Sequence, residues 1–415
     1  MCRYVIWNLL LIAVVSLPNQ GCVSAPKRLS AVPTEITAKA EIPGMPGVRF
    51  VAGGAAITEF VKASLEGQRR EEAYRASQGL SGPLPPAVFL AVSGGGDNGA
   101  FSAGLLNGWT ANGTRPEFKL VTGVSTGALI APFAFLGAKY DATLKEVYTT
   151  ISAKDVIKPR SLLAGVFGDA MADSAPLWTL TRKSVNAEFL KAVASEYEKG
   201  RFLFIGTADL DARRPVIWNM GKIASYGDQK ALDLFVSIMI ASASIPGGFP
   251  PVMIDVEADG KHYQEMHVDG GTMAQVFVYP VGLSAERMKA ATGTTRERGL
   301  YIIRNARLDP DWADVERKTM SIAGRAVSSL IHTQGVGDLY RIYAAAQRDG
   351  VDYNLAFIPS TFNAPHKEEF DNAYMRALYE EGYAMAVKGF PWMKTPPAFG
   401  AESVPASESK APDSK

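Results

Sequence analysis

The chain has 415 residues, of which 47% are hydrophobic and 20% charged, a composition typical of a globular protein with one large domain or two smaller ones. Its 43 Lys and Arg residues balance 42 Asp and Glu residues, so it has no basic footprint for nucleic acid and we expect no nucleic-acid partner. Two cysteines and four histidines exclude a disulfide framework and a cysteine-rich zinc site, and we expect no metal and no other cofactor.

The N-terminus has the pattern of a bacterial export signal. Arg3 precedes an apolar run over residues 5–17, which is too short to span a bilayer but has the length of a signal-peptide core. The run leads into LPNQGC, where a small residue precedes Cys22 as in bacterial lipoprotein signals, although the Asn and Gln depart from that pattern. We therefore predict a signal peptide over residues 1–21, acylation of Cys22 and an anchor in the outer membrane. A periplasmic or secreted protein cleaved near Gly21 and a retained N-terminal anchor are the alternatives.

Two segments have compositions that predict little packing. Residues 22–54 are rich in Ala, Pro, Val and Thr in their first part, and we predict that they form a lipid-anchored tether. Residues 396–415 are Pro, Ser, Ala, Glu and Lys in the main, and we predict a disordered tail. Residues 55–395 are then the folded domain. After residue 30 no apolar run reaches the length of a membrane span.

Strands and helices alternate within this predicted domain. The predicted elements, in chain order, are a helix over residues 55–79, a strand at 87–92, a helix at 100–110, a strand at 118–122, a helix at 128–137, strands at 201–209 and 215–219, a helix at 231–243, strands at 266–269 and 299–304, a helix at 316–346, a strand at 351–358 and a helix at 368–388. This alternation predicts the α/β class, as a three-layer α/β/α sandwich with a mostly parallel central sheet.

The sequence GVSTG at residues 123–127 has the form GxSxG. A predicted strand precedes it and a predicted helix follows, which is the context of a nucleophile elbow. In such an elbow the serine lies on a cramped turn where side chains at the glycine positions would collide, and the helix amides favour negative charge near the serine. Chance is the competing explanation for the motif, and the strand–turn–helix context weighs against it. The pattern predicts that Ser125 is a nucleophile.

The sequence SGGGDNG at residues 93–99 joins another predicted strand to a helix. It also matches the dinucleotide-binding pattern GxGxxG, but the acidic residue expected at the end of the next strand is missing, because that strand leads into the serine turn. A structural turn is a second explanation. A third is anion stabilisation by the closely approachable backbone amides of Gly94, Gly95 and Gly96. Ser125 follows Gly95 by 30 residues, the length of one parallel crossover, which would place both loops at one edge of the sheet.

A third block, Asp269-Gly270-Gly271, follows a short predicted strand. An ordinary Asp-Gly turn is its simplest explanation when it is taken alone. The three blocks in this order, however, resemble the patatin-like phospholipase family. The stretch ASASIPGGFPP at residues 241–251 is similar to a further block of that family, and the resemblance covers residues 86–280 by motif and extends more loosely to about residue 390.

The resemblance implies a patatin-like fold and a serine acyl hydrolase that uses a Ser–Asp dyad without a catalytic histidine. Carried over, it makes Ser125 the nucleophile and Asp269 the general base. The oxyanion amides would come from Gly94, Gly95 and Gly96. The family's glycine loop usually carries an Arg just before its last glycine, and Asn98 stands there in this chain, so that positive charge near the anion is absent.

A Ser–His–Asp triad is the competing catalytic scheme. The chain's histidines are His262, His267, His332 and His366. His332 lies in a helical pattern and His267 shares a strand with Asp269, whereas both parts of the dyad stand in motifs. The dyad is therefore the preferred hypothesis.

These observations predict a membrane-tethered hydrolase that cleaves carboxylic ester bonds of phospholipids or lysophospholipids. A carboxylate is a weak base for a serine hydroxyl, so the site must be dry enough to raise the pKa of Asp269. Phe101, Phe249 and Phe277 are candidate apolar neighbours. The alternatives are a soluble-ester or thioester esterase, and a catalytically weak lipid-binding envelope lipoprotein, which Asn98 in place of the Arg would favour.

Overall fold

A computed structural model describes residues 28–51, 54–161, 168–280, 282–309 and 312–397. The predicted signal peptide and the predicted acylation of Cys22 lie outside these residues, as does the predicted tail beyond residue 397. No helix in the described ranges is long and apolar enough to cross a bilayer.

The elements alternate between strand and helix, as predicted. The strands are β1 (Arg49–Val51), β2 (Ala87–Val92), β3 (Leu120–Gly123), β4 (Lys158–Pro159), β5 (Ala172–Asp173), β6 (Phe202–Asp209), β7 (Arg214–Asn219), β8 (Val252–Ala258), β9 (Lys261–Asp269), β10 (Arg298–Arg304) and β11 (Asp352–Phe357). The helices are α1 (Gly54–Ser77), α2 (Gly99–Ala111), α3 (Thr126–Leu136), α4 (Asp141–Thr150), α5 (Ala153–Val156), α6 (Ala175–Ser184), α7 (Ala187–Glu198), α8 (Met220–Ser225), α9 (Gln229–Ser242), α10 (Ala285–Thr292), α11 (Thr319–Asp349) and α12 (Asn372–Val387).

Among the described residues, nine strands form one sheet. Its main path runs β1-β7-β6-β3-β2-β10-β11, and the β8–β9 hairpin pairs with β6 through β9. The pairs β6–β3, β3–β2, β2–β10 and β10–β11 are parallel, and the pairs that involve β1, β7, β8 and β9 are antiparallel. The sheet is therefore mostly parallel at its centre.

Helices cover both faces of this sheet. One apolar cluster contains Phe101 of α2, Ile130 of α3 and Phe235 of α9, and the other contains Phe60 of α1 and Leu339 of α11. The central strand β6 is buried along its whole length, as expected of a strand covered on both faces. The predicted α/β class and mostly parallel, three-layer architecture are confirmed.

The segment predicted as a tether is packed onto the domain where the structure describes it. Its strand β1 adds to the edge of the sheet beside β7. The Arg49 guanidinium forms an ion pair with the Glu265 carboxylate at 2.5 Å, and both groups are buried. The guanidinium also donates to the Ala40 carbonyl at 2.6 Å. The prediction of a tether over residues 22–54 is therefore wrong for residues 28–51. The composition of this segment could not reveal its packing, because the partners lie far away in the sequence.

The hairpin that carries Asp269 is longer than predicted. Strand β9 has nine residues and pairs with β8, which was not predicted. Asp259 and Gly260, at φ values of +47° and +73°, form the two-residue turn between them. An Asp-Gly pair between alternating apolar residues is a hairpin signal, so the sequence held the information.

Three connections that matter for the site begin at the same edge of the sheet. Strands β2, β3 and β10 are parallel neighbours, so their carboxyl ends meet there. The glycine loop follows β2, the GxSxG turn follows β3, and Asn305 follows β10. Clefts beside the carboxyl ends of parallel strands are where α/β proteins usually place their sites.

Candidate active site

Ser125 lies on a sharp turn between β3 and α3. Its backbone angles are φ +56° and ψ −128°, a conformation that a non-glycine residue adopts only where its surroundings impose it. A Cβ on Gly123 would lie 2.3 Å from the Gly127 carbonyl oxygen, and a Cβ on Gly127 would lie 2.2 Å from the Val92 carbonyl oxygen. Both glycines of the motif are therefore required by close backbone contacts, as the sequence predicted for an elbow.

The last residue of α9 holds this turn in place. The Ser125 N–H donates to the Ser242 Oγ at 3.0 Å, and the Ser242 hydroxyl donates to the Gly206 carbonyl at 2.6 Å. Ser242 is fully buried, so water cannot replace either bond. The residue belongs to the ASASIPGGFPP stretch, where the sequence indicated a family block but no role.

We expect Ser242→Ala to loosen the turn. It leaves the Ser125 amide and the Gly206 carbonyl without their buried partner, which should lower the free energy of unfolding by about 1–3 kcal/mol. It should also lower kcat more than it changes KM, because Ser125 is then held less firmly. Urea denaturation and steady-state kinetics measure the two effects.

Ser244→Ala is the matched control for this substitution. The Ser244 hydroxyl is also buried, but it donates only to the Ile240 carbonyl of its own helix turn, at 2.9 Å. Its removal should leave kcat near the native value. Equal losses of kcat in both variants would contradict a positioning role for Ser242.

Asp269 ends β9 and faces Ser125. The Gly271 N–H donates to its Oδ1 at 2.7 Å, and its own N–H donates to the Ser244 carbonyl at 2.9 Å. Burial raises the pKa of Asp269 to about 7, while hydrogen bonds from the Ser125 hydroxyl and the Gly271 amide act in the opposite direction. A Cβ on Gly270 would lie 2.4 Å from the Gly206 carbonyl oxygen, so this glycine lets the turn after Asp269 approach β6. The two residues that the sequence paired, 144 residues apart in number, are thus brought together.

The glycine loop lies directly beside Ser125. A Cβ on Gly94 would lie 3.0 Å from the Ser125 Cβ. Gly95 and Gly96 have φ values of +153° and +57°, which L side chains rarely adopt. The predicted loop and the predicted nucleophile therefore share one site.

One of the three predicted oxyanion amides is already occupied. The Gly94 N–H donates to the Gln275 carbonyl at 3.1 Å, so the assignment of Gly94 as an oxyanion donor is wrong. The amides of Gly95 and Gly96 have no acceptor within the described ranges, and neither has the amide of Thr126, the first residue of α3. In a nucleophile elbow the residue after the nucleophile commonly supplies an oxyanion amide, so the motif itself could have pointed to Thr126.

Residues far away in the sequence hold the glycine loop. The Asn305 backbone N–H donates to the Ser93 Oγ and its side-chain amide donates to the Ser93 carbonyl, both at 2.9 Å. The Ser102 hydroxyl donates to the Asn305 Oδ1 at 2.6 Å. The Asp338 carboxylate of α11 accepts the Gln275 N–H at 2.6 Å. Asn305 and Asp338 stand in no motif, and no sequence signal could have singled them out.

The side chains of Asp97 and Asn98, in the second half of the glycine loop, are hydrogen-bonded to residues near the C-terminal end of the domain. The Asp97 Oδ2, which is buried, lies 2.7 Å from the His366 Nε2 and accepts the Phe370 N–H at 2.9 Å. The Asn98 Oδ1 accepts the Tyr374 hydroxyl at 2.6 Å. The side chain in the place of the family's Arg thus ties the loop to α12.

None of the four histidines takes the position of a catalytic base beside Ser125 in the described structure. The His267 Nδ1 lies 2.9 Å from the Thr207 Oγ1 and its Nε2 lies 3.1 Å from the Glu265 carboxylate, so both ring nitrogens are engaged. His366 contacts Asp97, His262 is exposed on the β8–β9 hairpin and His332 lies on α11. Among the described residues, no histidine is hydrogen-bonded to Ser125 or Asp269. The geometry therefore favours the dyad over the triad.

Two comparisons with known proteins found matches. Residues 90–281 match the family described as patatin-like phospholipase. This stretch of the chain is a patatin-like phospholipase domain. Membership supports a lipid acyl hydrolase activity and a lipid substrate in general terms. Among solved structures, VipD from Legionella pneumophila is similar with a TM-score of 0.33 and 11% identity, over 74% of this chain and 67% of that chain. No curated protein matches the chain.

The patatin-like phospholipase domain has an apolar cavity of about 370 Å³ next to the dyad. Val124 and Gly270, the immediate neighbours of Ser125 and Asp269, line it, although the two catalytic candidates do not. Phe277 lines it as well, whereas Phe101 and Phe249 belong to the core on the other face of the sheet. Of the three predicted apolar neighbours, Phe277 is the one placed beside a cavity large enough for part of a lipid chain.

Proposed function

We propose that this protein hydrolyses carboxylic ester bonds of phospholipids through a Ser125–Asp269 dyad. The observation that carries the proposal is the buried contact between these two side chains, at an edge of the sheet where two backbone amides of the glycine loop have no acceptor among the residues that the structure describes. The patatin-like phospholipase domain supports the general reaction, and the dyad supplies its chemistry.

The reaction begins with proton transfer from the Ser125 hydroxyl to the Asp269 carboxylate. The Ser125 Oγ forms a bond to the ester carbonyl carbon, and the Gly95 and Gly96 amides donate to the resulting oxyanion. When the intermediate collapses, the bond to the leaving alcohol breaks, and that oxygen takes the proton from Asp269. A water molecule then gives a proton to Asp269 and attacks the acyl-enzyme. Release of the fatty acid returns the proton to Ser125.

Two features make a carboxylate a competent base here. Burial raises the pKa of Asp269 to about 7, so its proton affinity is far higher than that of an exposed aspartate. The amino terminus of α3 points at Ser125, so its backbone dipoles favour the negative charge that develops there.

Two further features are consistent with a lipid substrate: the cavity beside the dyad and the predicted lipid anchor at the N-terminus. The cavity lined by Val124, Gly270 and Phe277 is a candidate acyl-binding space. We further propose that Cys22 is acylated and anchors the protein in the outer membrane, which would raise the concentration of lipid near the site. Incorporation of labelled palmitate into the wild-type chain, and its absence from Cys22→Ser, is the test of the anchor.

The function is tested by the products released from lipid vesicles. We expect the purified protein to release fatty acid and lysophospholipid from bacterial envelope phospholipids, as measured by mass spectrometry. A short-chain soluble ester and an acyl thioester are assayed in parallel. Hydrolysis of these alone would support a soluble-ester or thioester esterase instead. Lipid binding without release of any product would support a lipid-binding lipoprotein, and either result would overturn the proposal.

A further inference from the structure

Helix α11 is too long for the sheet on which it packs. Its 31 residues span about 46 Å, whereas the seven residues of β10 span about 23 Å. The chain enters α11 from the carboxyl end of β10, the edge that also carries the glycine loop and Ser125. The first turns of α11 therefore project beyond the edge of the sheet that holds the candidate active site.

Helix α11 is buried against the rest of the domain only in its second half. From Gly335 onwards it is packed: a Cβ on Gly335 would lie 2.2 Å from the Arg304 Nη2, and Asp338 and Leu339 are fully buried. Residues 321–334 include no buried residue. We call these residues the overhang.

The overhang exposes large apolar side chains. Val327, Leu330 and Ile331 are 53%, 70% and 37% exposed, and their i, i+3, i+4 spacing places them on one helical face. The other side of the helix carries the hydroxyl groups of Ser321, Ser328 and Ser329, together with Arg325 and His332. One exposed apolar side chain, Ile322, also lies on that side and is 54% exposed. Trp312, just before α11, is 89% exposed. Soluble proteins rarely leave such a cluster uncovered without a use for it.

The charge of this stretch suits a lipid surface. From Thr319 to Gly337 the sequence contains Arg325 and no Asp or Glu. Insertion of the apolar face would therefore bury no carboxylate, and its one permanent charge lies away from that face. Apolar side chains on one face, a mostly polar opposite face and a nearby Trp are typical of helices that lie in a membrane interface.

The overhang continues into the cavity beside the dyad. One helical turn further on, Asp338, Arg341, Ile342 and Ala345 of the same helix line that cavity. We propose that the overhang inserts its apolar face into the surface of a phospholipid bilayer, so that the active-site edge faces the lipid. This inference rests on the proposed function, because a lipid substrate is what makes a bilayer the expected occupant.

Two other occupants match the face less well. The C-terminal segment starts nearby, since the Tyr340 hydroxyl donates to the Pro397 carbonyl. Residues 398–415, however, offer Phe399 and Val404 as their only large apolar residues. A second copy of the chain would cover the face but would also occupy the edge through which a lipid must enter.

Insertion is tested with a fluorescent label at a single position. In the full chain with Cys2→Ser, Cys22→Ser and Ser125→Ala, a polarity-sensitive dye is attached to Leu330→Cys or, as the matched control, to Ser329→Cys on the polar side. We expect vesicles of phosphatidylcholine and phosphatidylglycerol to shift the emission at position 330 to the blue, with little change at 329. Because Ser125→Ala removes catalysis, the result does not depend on the proposed function.

Several outcomes would overturn the inference. Equal responses at positions 330 and 329 would show that this face does not insert. A blue-shifted emission at 330 without vesicles that is lost on dilution would assign the face to a second copy. A blue-shifted emission without vesicles that persists on dilution would assign this face to the chain's own C-terminal segment.

The consequence for turnover is measured in an otherwise native chain. We expect Leu330→Asp to lower the ratio of vesicle-phospholipid to soluble-ester hydrolysis about tenfold, the effect of losing the burial of one leucine in lipid. Ser329→Asp, which adds the same charge on the polar side, should leave the ratio near its native value. An unchanged ratio in Leu330→Asp would contradict the inference, whereas an absence of vesicle-phospholipid hydrolysis in the native chain would contradict the proposed function instead.

Discussion

Ser125→Ala is expected to lower ester hydrolysis by about a thousand-fold or more, because the oxygen that would form the acyl-enzyme is removed. The substitution deletes one oxygen from a turn whose backbone is held by Gly123, Gly127 and Ser242, so the fold should persist. A fluorophosphonate probe should label the native protein and fail to label the variant. Labelling of Ser125→Ala at another residue, with activity retained, would contradict the assignment of the nucleophile.

The decisive control removes the histidines. A chain with His262→Ala, His332→Ala, His366→Ala and His267→Gln should keep measurable turnover, since no histidine of the described residues is hydrogen-bonded to Ser125 or Asp269. Gln is chosen at position 267 because it can still bond Thr207 or Glu265 in that buried site. Circular dichroism checks that the variant is folded. Complete loss of activity in a folded variant would support a histidine-based triad.

The second large effect is the loss of activity below neutral pH. Asp269 must be ionised to take the Ser125 proton, and its pKa is raised to about 7 by burial. We expect kcat/KM to rise with pH through about 7 and to level off above it. Asp269→Asn should lower the rate about a thousand-fold or more at every pH. A profile that stays flat down to pH 5 would contradict the assignment of Asp269 as the base.

The raised pKa of Asp269 also predicts that the free energy of unfolding depends on pH. Between pH 4 and 7 the folded chain keeps the Asp269 proton that the unfolded chain has lost, so the free energy of unfolding falls as pH rises through this window. A shift from 3.8 to about 7 corresponds to about 4 kcal/mol. Asp269→Asn is neutral throughout and should lack this loss. Urea denaturation of both proteins at pH 5 and pH 8 measures the difference, and equal pH slopes would show that Asp269 has an ordinary pKa.

Much of the fold follows from local patterns in the sequence. The strand AVFLAV ends where it was predicted to end, because the apolar run stops there and three glycines, which are depleted in strands, follow after Ser93. Helix α7 was not predicted, although its Asn186 cap and the spacing of its apolar residues are helix signals in the sequence. Residues 28–51 could not be placed from sequence, because their folding depends on partners such as Glu265.

The sequence by itself indicated Ser125 as a candidate nucleophile and predicted that the glycine loop lies beside it at one edge of a parallel sheet, whereas the candidate role of Asp269 followed from the family resemblance. Glycine spacing and the length of a crossover act over short stretches of chain, so they can be recognised without a structure. Only the tertiary structure decided that the Gly94 amide is occupied, that Ser242 and Asn305 hold the loops, and that α11 extends past the sheet. The hydrogen bonds among these features join residues more than a hundred positions apart, and the extension of α11 depends on the length of the sheet beside it, so neither leaves a pattern in the local sequence.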